Sequence, residues 1–344
     1  MKAPVVVKLG SNLVVGSDGR PRRDVLGGVA AELNALRGAG TPVAVVSSGA
    51  IALGSTLAGL RNGRRKLAWL QAASALGQAE LQRAWHEAFA PFELHAAQVL
   101  LTGAEIAERR AYINVRNALR ALFDLAAVPI LNENDATSTD EISFGDNDVL
   151  AAQVAVLLRA AKLILLTSAD GVMSHPPGSP NAVVIADGSE LREATFGARS
   201  LHGTGGIESK IRAARLAAAG GVETVIASPA SLGALVRGER AGTRFAAQQT
   251  LETAFKLWLR YGKPPQSTVS IDQGAAKAIL EQGRSLLAVG VISWTRDFRA
   301  GDGLDICYPE HTVIARGISS ADAKDLAARP VDVEVVHRDK LVLI

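Results

Sequence analysis

Short apolar runs alternate with helical segments over the first 230 residues, and this alternation constrains the fold more than any other feature. The runs are VVVKLG (5–10), PVAVVSSGA (42–50), LHAAQVLL (94–101), AVPILNEND (127–135), KLILLTS (162–168) and VETVIAS (222–228). Apolar residues at helical spacing lie between them, over 24–38, 66–89, 104–126 and 147–160. Continuous Val, Ile and Leu strands that alternate with helices are typical of a parallel sheet covered on both faces. We therefore predict an α/β fold with a mainly parallel sheet between two layers of helices.

The pattern changes near residue 250. The stretch LETAFKLWLRYGKPPQ is typical of a helix that leaves the first domain and runs into a Gly/Pro linker. After it come short strands with two brief helical stretches, at 272–282 and 320–328. We predict a first domain over 1–250, a linker over 251–265 and a small β-rich second domain over 266–344.

Composition excludes several classes of protein. The single cysteine, Cys307, excludes disulfides within the chain and zinc sites built from several cysteines, and it fits a reducing cytoplasm. The amino terminus has no features of a signal peptide, and no apolar run reaches the roughly 18 residues of a membrane span. Residues 251–344 hold twelve Lys or Arg and twelve Asp or Glu, which argues against RNA binding by the second domain.

Polar residues follow four of the predicted strands, after Leu9, Val46, Leu131 and Leu166. The carboxyl ends of parallel strands share one edge of a sheet, and ligands of such sheets bind beyond that edge. We therefore expect one site, built from four strand-to-helix turns.

Three of the turns have features of anion sites. KLGSN places Gly10 and Ser11 behind Lys8, SSGAIALG opens a helix after small residues, and GTGGIESK places Lys210 one turn inside a helix. Free N–H groups at helix starts and close backbone approach at glycine both suit phosphate. None of the three is a Walker A or G-x-G-x-x-G motif. Each also has a structural interpretation, as an ordinary turn, a tight connection or a surface hairpin.

The segment NENDATSTDEISFGDNDVLAA (132–152) holds six acids and no Lys or Arg. Asp146 or Asn147 is a candidate N-cap of the next helix, which would place Asp148 in its first turn. The spacing of a Ca²⁺ loop is absent. Two lysines, three N–H-rich turns and an acidic pocket together predict Mg²⁺-dependent phosphoryl transfer to a cationic or zwitterionic small molecule. No Ser/His/Asp or Cys/His arrangement competes with this hypothesis.

Matching stretches in order along nearly the whole chain resemble one family, the glutamate 5-kinases of the amino acid kinase family. They include VVKLGSN, VSSGAIALG, PILNENDATSTDEISFGDNDVLAA, LILLTSADGV, GTGGIESKIRAARLAAAGGVETVIAS and GKPPQSTVSIDQGAAKAILEQGRSLL. The resemblance implies ATP-dependent phosphorylation of the γ-carboxylate of L-glutamate, the first step of proline biosynthesis. It also implies an eight-stranded, mainly parallel sheet, a PUA domain from about residue 266, a cytoplasmic homo-oligomer (a dimer or tetramer) and feedback inhibition by proline.

The resemblance assigns roles to individual residues. Those implied to act on the phosphoryl group are Lys8 and Lys210, with Asp148 to orient them. Those implied to bind ATP are Lys8, Gly10, Thr167, Ser168, Thr204, Gly205, Gly206 and Lys210. Those implied to bind glutamate are Ser48, Asp135 and Asn147. We expect Asp135 or a neighbouring acid to bind the α-ammonium of glutamate and, by the same chemistry, the ring nitrogen of proline.

The chain departs from the family pattern in two places. Ser168 stands where the family usually has an Asp that contacts the nucleotide, and Asp170 comes two residues later. The segment before VHRD is also short, which predicts a shortened PUA domain. The alternatives left open are sister kinases that act on acetylglutamate, aspartate, carbamate or uridylate and, in another class, an RNA-binding protein.

Overall fold

The computed structural model describes residues 2–60, 66–102, 105–106, 109–137, 146–175, 179, 181–191, 206–248, 253–257, 259–260, 263, 265–309, 312–326, 330 and 332–344. The chain divides into two compact units, Met1–Thr250 and Leu251–Ile344, and each is described by itself. Within the described ranges, no helix is both long and apolar enough to cross a membrane.

The first unit is built on one sheet. Its strands are β1 (Val5–Leu9), β2 (Val43–Ser47), β3 (Ala96–Leu101), β4 (Val128–Glu133), β5 (Lys162–Leu166), β6 (Glu223–Ala227) and β7 (Thr243–Phe245). They lie in the order β3-β4-β2-β1-β5-β6-β7, and all neighbours are parallel except β6 and β7. The parallel sheet is confirmed. The described residues contain seven of its strands, one fewer than the resemblance implies.

The helices of this unit begin and end close to the predicted positions. They are α1 (Ser11–Val14), α2 (Arg23–Gly38), α3 (Ala50–Leu57), α4 (Leu67–Phe89), α5 (Arg109–Asp124), α6 (Asp146–Leu158), α7 (Gly206–Ala219) and α8 (Leu232–Val236). Single 3₁₀ turns lie at Ala90–Phe92, Gly188–Glu190 and Pro229–Ser231.

Helices cover both faces of the sheet. On one face Val5, Val7 and Leu9 of β1 pack in a single core with buried residues of α2 and α4. On the other face α6 packs against β1, β4 and β5, and α7 packs against β5 and β6. Central strands such as β1 and β2 are buried along their whole length, which is why their sequences are continuously apolar rather than alternating.

Helices α3 and α4 cross at backbone contact. A Cβ atom added at Gly54 would lie 1.7 Å from the carbonyl oxygen of Ala73, and one added at Gly77 would lie 1.9 Å from the carbonyl oxygen of Ala50. No side chain larger than hydrogen fits at either position. The two glycines therefore fix α4 against the first turn of α3, directly behind the end of β2.

The second unit contains a six-stranded sheet in the order β10-β8-β11-β12-β13-β9. Its strands are β8 (Ser267–Ile271), β9 (Leu286–Leu287), β10 (Val291–Trp294), β11 (Gly303–Cys307), β12 (Val313–Ser319) and β13 (Glu334–Leu343). All pairs are antiparallel except β8 and β11. The sheet encloses its own core, which includes Val269, Leu304 and Val335.

Of the two helical stretches predicted in this unit, one is an α-helix. The helices of the unit are α9 (Ala254–Leu257) and α10 (Gln273–Leu280), with 3₁₀ turns at Ala288–Gly290 and Ala323–Leu326. Helix α10 has Asp272 as N-cap, because its carboxylate accepts from the backbone N–H of Ala275 at 2.7 Å. The stretch predicted over 320–328 forms only the 3₁₀ turn in its described part.

Candidate active site

The structure places an ion cluster at the carboxyl edge of the first sheet. Nζ of Lys8, next to the end of β1, lies 2.5 Å from Oδ1 of Asp148 in the first turn of α6. Nζ of Lys210, one turn inside α7, lies 3.2 Å from Oδ2 of the same carboxylate. The hydroxyl of Ser209 donates to Oδ2 as well, at 3.0 Å. The three charged residues that the resemblance groups as catalytic are therefore in direct contact.

All three charges of the cluster are buried. Asp148 is 1% exposed, Lys8 3% and Lys210 7%. Burial would raise the pKa of Asp148, but attraction to Lys8 and Lys210 outweighs it and holds that pKa below the ordinary value. Burial lowers the pKa of Lys8, with repulsion from Lys210 adding to the effect and attraction to Asp148 opposing it. Two ammonium groups share one carboxylate, so the cluster carries one excess positive charge, which suits an anion.

Glycine leaves room beside the cluster. A Cβ atom at Gly10 would lie 3.8 Å from Nζ of Lys8, so the backbone of the turn runs close to that ammonium group. Gly206 begins α7, and its carbonyl oxygen accepts from Nζ of Lys210 at 3.3 Å. The amino end of an α-helix attracts anions, so the start of this 14-residue helix suits a phosphate beside Lys210. Thr204 and Gly205 lie outside the described residues.

Ser48 lies in a turn that the sheet itself positions. Its backbone N–H donates to the carbonyl oxygen of Leu9 at 3.0 Å, which ties the end of β2 to the end of β1. Gly49 follows with φ +118°, in the left-handed region that favours glycine, and serves as N-cap residue of α3. The hydroxyl oxygen of Ser48 accepts from Nδ2 of Asn147 at 3.1 Å. The first two strand-end turns therefore meet the acidic segment at Ser48.

Asn147 does not cap α6, contrary to one of the two alternatives for that cap. The helix begins at Asp146, so Asn147 is already inside it. Its Oδ1 accepts from the backbone N–H of Glu133 at 3.2 Å, and its Nδ2 donates to Oδ1 of Asn132 at 2.9 Å. The amide is thus occupied in joining α6 to the end of β4 and to Ser48. Asp146, the other candidate cap, is the first residue of α6 rather than the residue before it. The side chain of Asp146 lies outside the described residues, as do Asp140 and Glu141.

Asp135 is half-buried just beyond β4. Its Oδ2 accepts from the hydroxyl of Ser74 on α4 at 2.8 Å. Burial raises the pKa of Asp135, and the hydrogen bond from Ser74 opposes that rise only in part. Among the described residues, no lysine or arginine forms an ion pair with Asp135, so its charge is available to a cationic ligand.

The turn after β5 contains the other residues implied to bind ATP. The backbone N–H of Thr167 donates to the carbonyl oxygen of Ala227 at 2.9 Å, and Ser168 is exposed next to it. The carboxylate of Asp170 is not free to reach the position of Ser168, because its Oδ1 accepts from the hydroxyl of Ser228 at 2.7 Å. The carboxylate is thus held against the turn after β6.

Sequence reasoning missed three polar residues of this site. Ser74 and Gln78 lie one turn apart on the buried face of α4, and Asn132 is the fifth residue of β4. Ser74 contacts Asp135, Asn132 contacts Asn147, and Gln78 contacts Asn132. Two polar residues four apart on a buried helix face are a signal that can be read from sequence, but the pattern does not name their partners.

Comparison with known proteins gives the family. A model of the amino acid kinase family matches residues 3–228, and a model of the PUA domain matches residues 267–337. The glutamate 5-kinase of Stutzerimonas stutzeri is 39% identical over 98% of this chain and 97% of its own length. The chain belongs to the amino acid kinase family, among the glutamate 5-kinases. The family resemblance found in the sequence is therefore confirmed.

Further relatives of this kinase have the same coverage. The glutamate 5-kinase of Nitrosomonas eutropha is 37% identical over 99% of the chain and 97% of its own length, and that of Sphingopyxis alaskensis is 41% identical over the same shares. Both are similar across the kinase and PUA matches together. The chain is thus a phosphotransferase with a separate β-rich second unit.

Among solved structures, a carbamate kinase from Giardia is similar with a TM-score of 0.51 and 17% identity, covering 72% of this chain and all of that one. A Giardia lamblia carbamate kinase bound to AMP-PNP has a TM-score of 0.50 and 16% identity, covering 70% and 98%. At these identities the similarity shows the fold alone.

Proposed function

We propose that this kinase transfers the γ-phosphoryl group of ATP to the γ-carboxylate of L-glutamate and forms L-glutamyl 5-phosphate and ADP. The observation that carries the proposal is similarity to glutamate 5-kinases over 98–99% of the chain. This product is the first intermediate of proline biosynthesis. Both substrates are cytoplasmic metabolites, so we expect the reaction there.

The chemistry needs positioning and charge rather than a general base. The γ-carboxylate of glutamate is ionised at pH 7, so its oxygen attacks the γ-phosphorus directly while the bond from that phosphorus to the ADP oxygen breaks. Negative charge spreads over the transferring oxygens and the leaving group. Lys8 and Lys210 stabilise that charge. The carboxylate of Asp148 binds both lysines and so holds them in place before a phosphate binds.

ATP would bind along the carboxyl edge of the sheet. We assign its phosphates to Lys8, Gly10, Gly206 and Lys210, together with Thr204 and Gly205 of the same glycine-rich stretch. Thr167 and Ser168, after β5, take the rest of the nucleotide.

Mg²⁺ would accompany ATP. Among the residues that the structure describes, no group of three or more His, Cys, Asp or Glu side chains is arranged to hold a metal ion. The carboxylate of Asp148 is engaged by two lysines and a serine. This donor set fits an ion carried mainly by the phosphate oxygens, as is usual for Mg²⁺ in kinases, where it offsets phosphate charge.

Glutamate would bind at the end of β4. We assign its α-ammonium group to Asp135 and its carboxylates to the Ser48 turn. Asn147 would contribute the second lone pair of its Oδ1 to the ammonium group, while its Nδ2 holds the Ser48 hydroxyl. Proline also carries a cationic nitrogen and a carboxylate at pH 7. We therefore propose that proline competes at Asp135 as a feedback inhibitor. We also propose that the enzyme assembles as a dimer or tetramer.

At residue level we propose a kinase domain over 1–250, a linker over 251–265 and a shortened PUA domain over 266–344. The two compact units and the two family matches support this division.

A coupled assay tests the proposed reaction. ADP formation is measured with L-glutamate and with N-acetylglutamate, and hydroxylamine is added to trap the acyl phosphate as a hydroxamate. We expect glutamate-dependent ADP and hydroxamate in equal amounts, and no turnover of N-acetylglutamate, because acylation removes the ammonium charge that Asp135 would pair with. Equal use of both substrates would overturn the assignment.

A further inference from the structure

A chain of side-chain amides runs from the Ser48 turn to the middle of α4. Its orientation is fixed at one end by the backbone. The N–H of Glu133 can only donate, and it points at one atom of the Asn147 amide, 3.2 Å away, which must be the oxygen Oδ1. The other atom is therefore Nδ2, which donates to Ser48 and to Oδ1 of Asn132.

The same logic continues to α4. Because Asn132 presents its oxygen to Asn147, its Nδ2 faces Oε1 of Gln78, at 2.9 Å. Gln78 is only 7% exposed and Asn132 1%. Among the described residues, Nε2 of Gln78 has no hydrogen-bond partner. A flipped Gln78 would set two donors against each other, so the observed orientation is the one that the chain of amides requires.

An unpartnered amide is a costly way to fill a buried helix face. A buried donor without an acceptor destabilises a protein by about 1–3 kcal/mol, whereas methionine or leucine would fill the space without that penalty. Gln78 is also held tightly, because Gly77 next to it lies in backbone contact with Ala50 at the start of α3. The position therefore serves something other than packing.

This chain of amides ends at the Ser48 hydroxyl and limits the directions in which that hydroxyl can donate a hydrogen bond. A hydroxyl group has one hydrogen and can accept from other donors. Since Oγ of Ser48 accepts from Asn147, its hydrogen cannot point at that nitrogen and is directed elsewhere. One lone pair of Oγ is used by this bond and the hydrogen remains to donate, so the hydroxyl favours a carboxylate over a cation.

We propose that Gln78 is a positioning residue, which sets the donor direction of Ser48 toward a substrate carboxylate through Asn132 and Asn147. The proposal rests on the proposed function, because it assumes that the amino acid substrate binds at Ser48. Gln78 itself need not touch the substrate.

Gln78→Met tests the proposal, since it keeps an unbranched side chain of similar length and removes the acceptor. Asn132 then loses the partner that fixes its orientation. We expect KM for glutamate to rise about tenfold or more, with KM for ATP within about twofold of the wild-type value. Equal rises in both KM values, or an unchanged KM for glutamate, would overturn the proposal.

Gln82→Met is the matched control. Gln82 lies one turn further along α4, and its Nε2 donates to the carbonyl oxygen of Ala96 at 2.7 Å, in β3 rather than in the chain of amides. Gln82→Met removes one part-buried side-chain hydrogen bond from the same helix. We expect both KM values to stay within about twofold of wild type, whatever its effect on the melting temperature. A rise in KM for glutamate equal to that of Gln78→Met would reduce the role of Gln78 to helix packing.

Two further variants separate positioning from folding. Gln78→Glu retains an oxygen that accepts from Asn132, and burial favours its neutral acid form, so we expect recovery of most of the glutamate affinity. This variant keeps the proposal testable if Gln78→Met does not fold, because a glutamate KM as high as that of Ser48→Ala would then contradict it. In a double-mutant cycle, Gln78→Met should add little to the KM of Ser48→Ala, whereas full additivity would show that Gln78 acts independently of Ser48.

The trapping assay on the wild-type enzyme separates failure of the positioning role from failure of the proposed function. If the wild type does not phosphorylate glutamate in the trapping assay, the proposed function fails. If it does, and Gln78→Met leaves the glutamate KM unchanged, only the positioning role fails.

Discussion

Lys210 gives the most direct test at the scale of single residues. We expect Lys210→Ala to lower kcat by about 10²- to 10³-fold, the effect of removing one preorganised charge at a transition state. The fold should persist, because Asp148 keeps its ion pair with Lys8 and the donation from Ser209. Steady-state kinetics and circular dichroism measure the two effects.

Lys162→Ala is the control for this change. Lys162 pairs with Glu223 at 3.2 Å at the start of β5, the opposite edge of the sheet from the ion cluster. Lys162→Ala should therefore leave kcat unchanged. A Lys210→Ala enzyme with near-normal kcat would remove Lys210 from the mechanism.

The raised pKa of Asp135 predicts a pH dependence of substrate binding. Burial raises that pKa, so the carboxylate becomes protonated at a higher pH than an ordinary aspartate. If the carboxylate pairs with the ammonium group, KM for glutamate should rise as the pH falls from neutrality, starting above the usual aspartate range. In Asp135→Asn, KM for glutamate should be high at pH 7 and should no longer respond to this titration.

The raised pKa of Asp135 also predicts that its charge lowers the stability of the ligand-free enzyme, although it favours substrate binding. A carboxyl group whose pKa is higher in the folded than in the unfolded protein destabilises the fold once the pH exceeds the unfolded value, and this cost disappears as the pH falls below it. Asp135→Asn should therefore raise the melting temperature of the ligand-free enzyme at pH 7 and leave it unchanged in acid. A lower melting temperature at pH 7 would show that the charge of Asp135 stabilises the empty enzyme.

At the scale of elements, the crossing of α3 and α4 controls the position of the Ser48 turn. Gly77→Ala would place a methyl group 1.9 Å from a backbone oxygen of α3, so the helices must separate. Forced overpacking of this kind costs about 1–3 kcal/mol, and we also expect a higher KM for glutamate because Ser48 moves with α3. Denaturant unfolding and kinetics measure both effects.

Gly28→Ala is the matched change. Gly28 lies in the middle of α2, and an added Cβ atom would have nothing within 4 Å. Alanine should stabilise this helix by about 0.5–1 kcal/mol through its higher helix propensity. If both changes destabilise equally, the α3–α4 contact has no special role.

The elements also show how far sequence reasoning reaches. The apolar runs that became β1, β2, β4, β5 and β6 were recognisable because both faces of a parallel sheet are buried. The lysines were recognisable because glycine turns precede or follow them. Gly54 and Gly77 were not, since glycine inside a helix is unfavourable locally and its benefit lies in a contact with another helix.

The polar chain from Gln78 to Ser48 was beyond prediction for a similar reason. Its members lie on α4, β4, α6 and the turn after β2, and only the folded chain brings them together. Asn147 was given an alternative role as helix cap because capping is a local interaction that sequence can suggest. The observed tertiary bonds to Ser48 and Asn132 use that amide instead. The helix predicted over 320–328 likewise rested on local spacing, which a 3₁₀ turn satisfies over four residues.

At the scale of the whole molecule, the two compact units predict that the first folds alone. A chain that ends at Gln248 keeps β7 and the donation from the N–H of Gln248 to the carbonyl oxygen of Ala218. It also keeps every described residue of the ion cluster and the amide chain. We expect it to be folded and to phosphorylate glutamate with kcat within about tenfold of the full chain. A folded but inactive fragment would show that the second unit contributes to catalysis.

A shorter fragment that ends at Arg240 is the contrasting case. It lacks β7, which covers the edge of β6 and supplies Thr243, whose hydroxyl oxygen accepts from the N–H of Val172 at 2.8 Å. It also exposes the site where Phe245 is buried. We expect this fragment to aggregate, because an unpaired sheet edge associates with other chains. A soluble, active fragment would show that β7 is dispensable.

The ion cluster has a practical consequence for work at the bench. Because its two ammonium groups share one carboxylate, the cluster carries one excess positive charge, and we expect small divalent oxyanions in a buffer to compete with the nucleotide for it. Phosphate and sulfate buffers are therefore poor choices for measuring ATP affinity, and zwitterionic sulfonate buffers at constant chloride are better ones. The same property makes sulfate a sensible additive for crystals intended to mark where the transferred group sits.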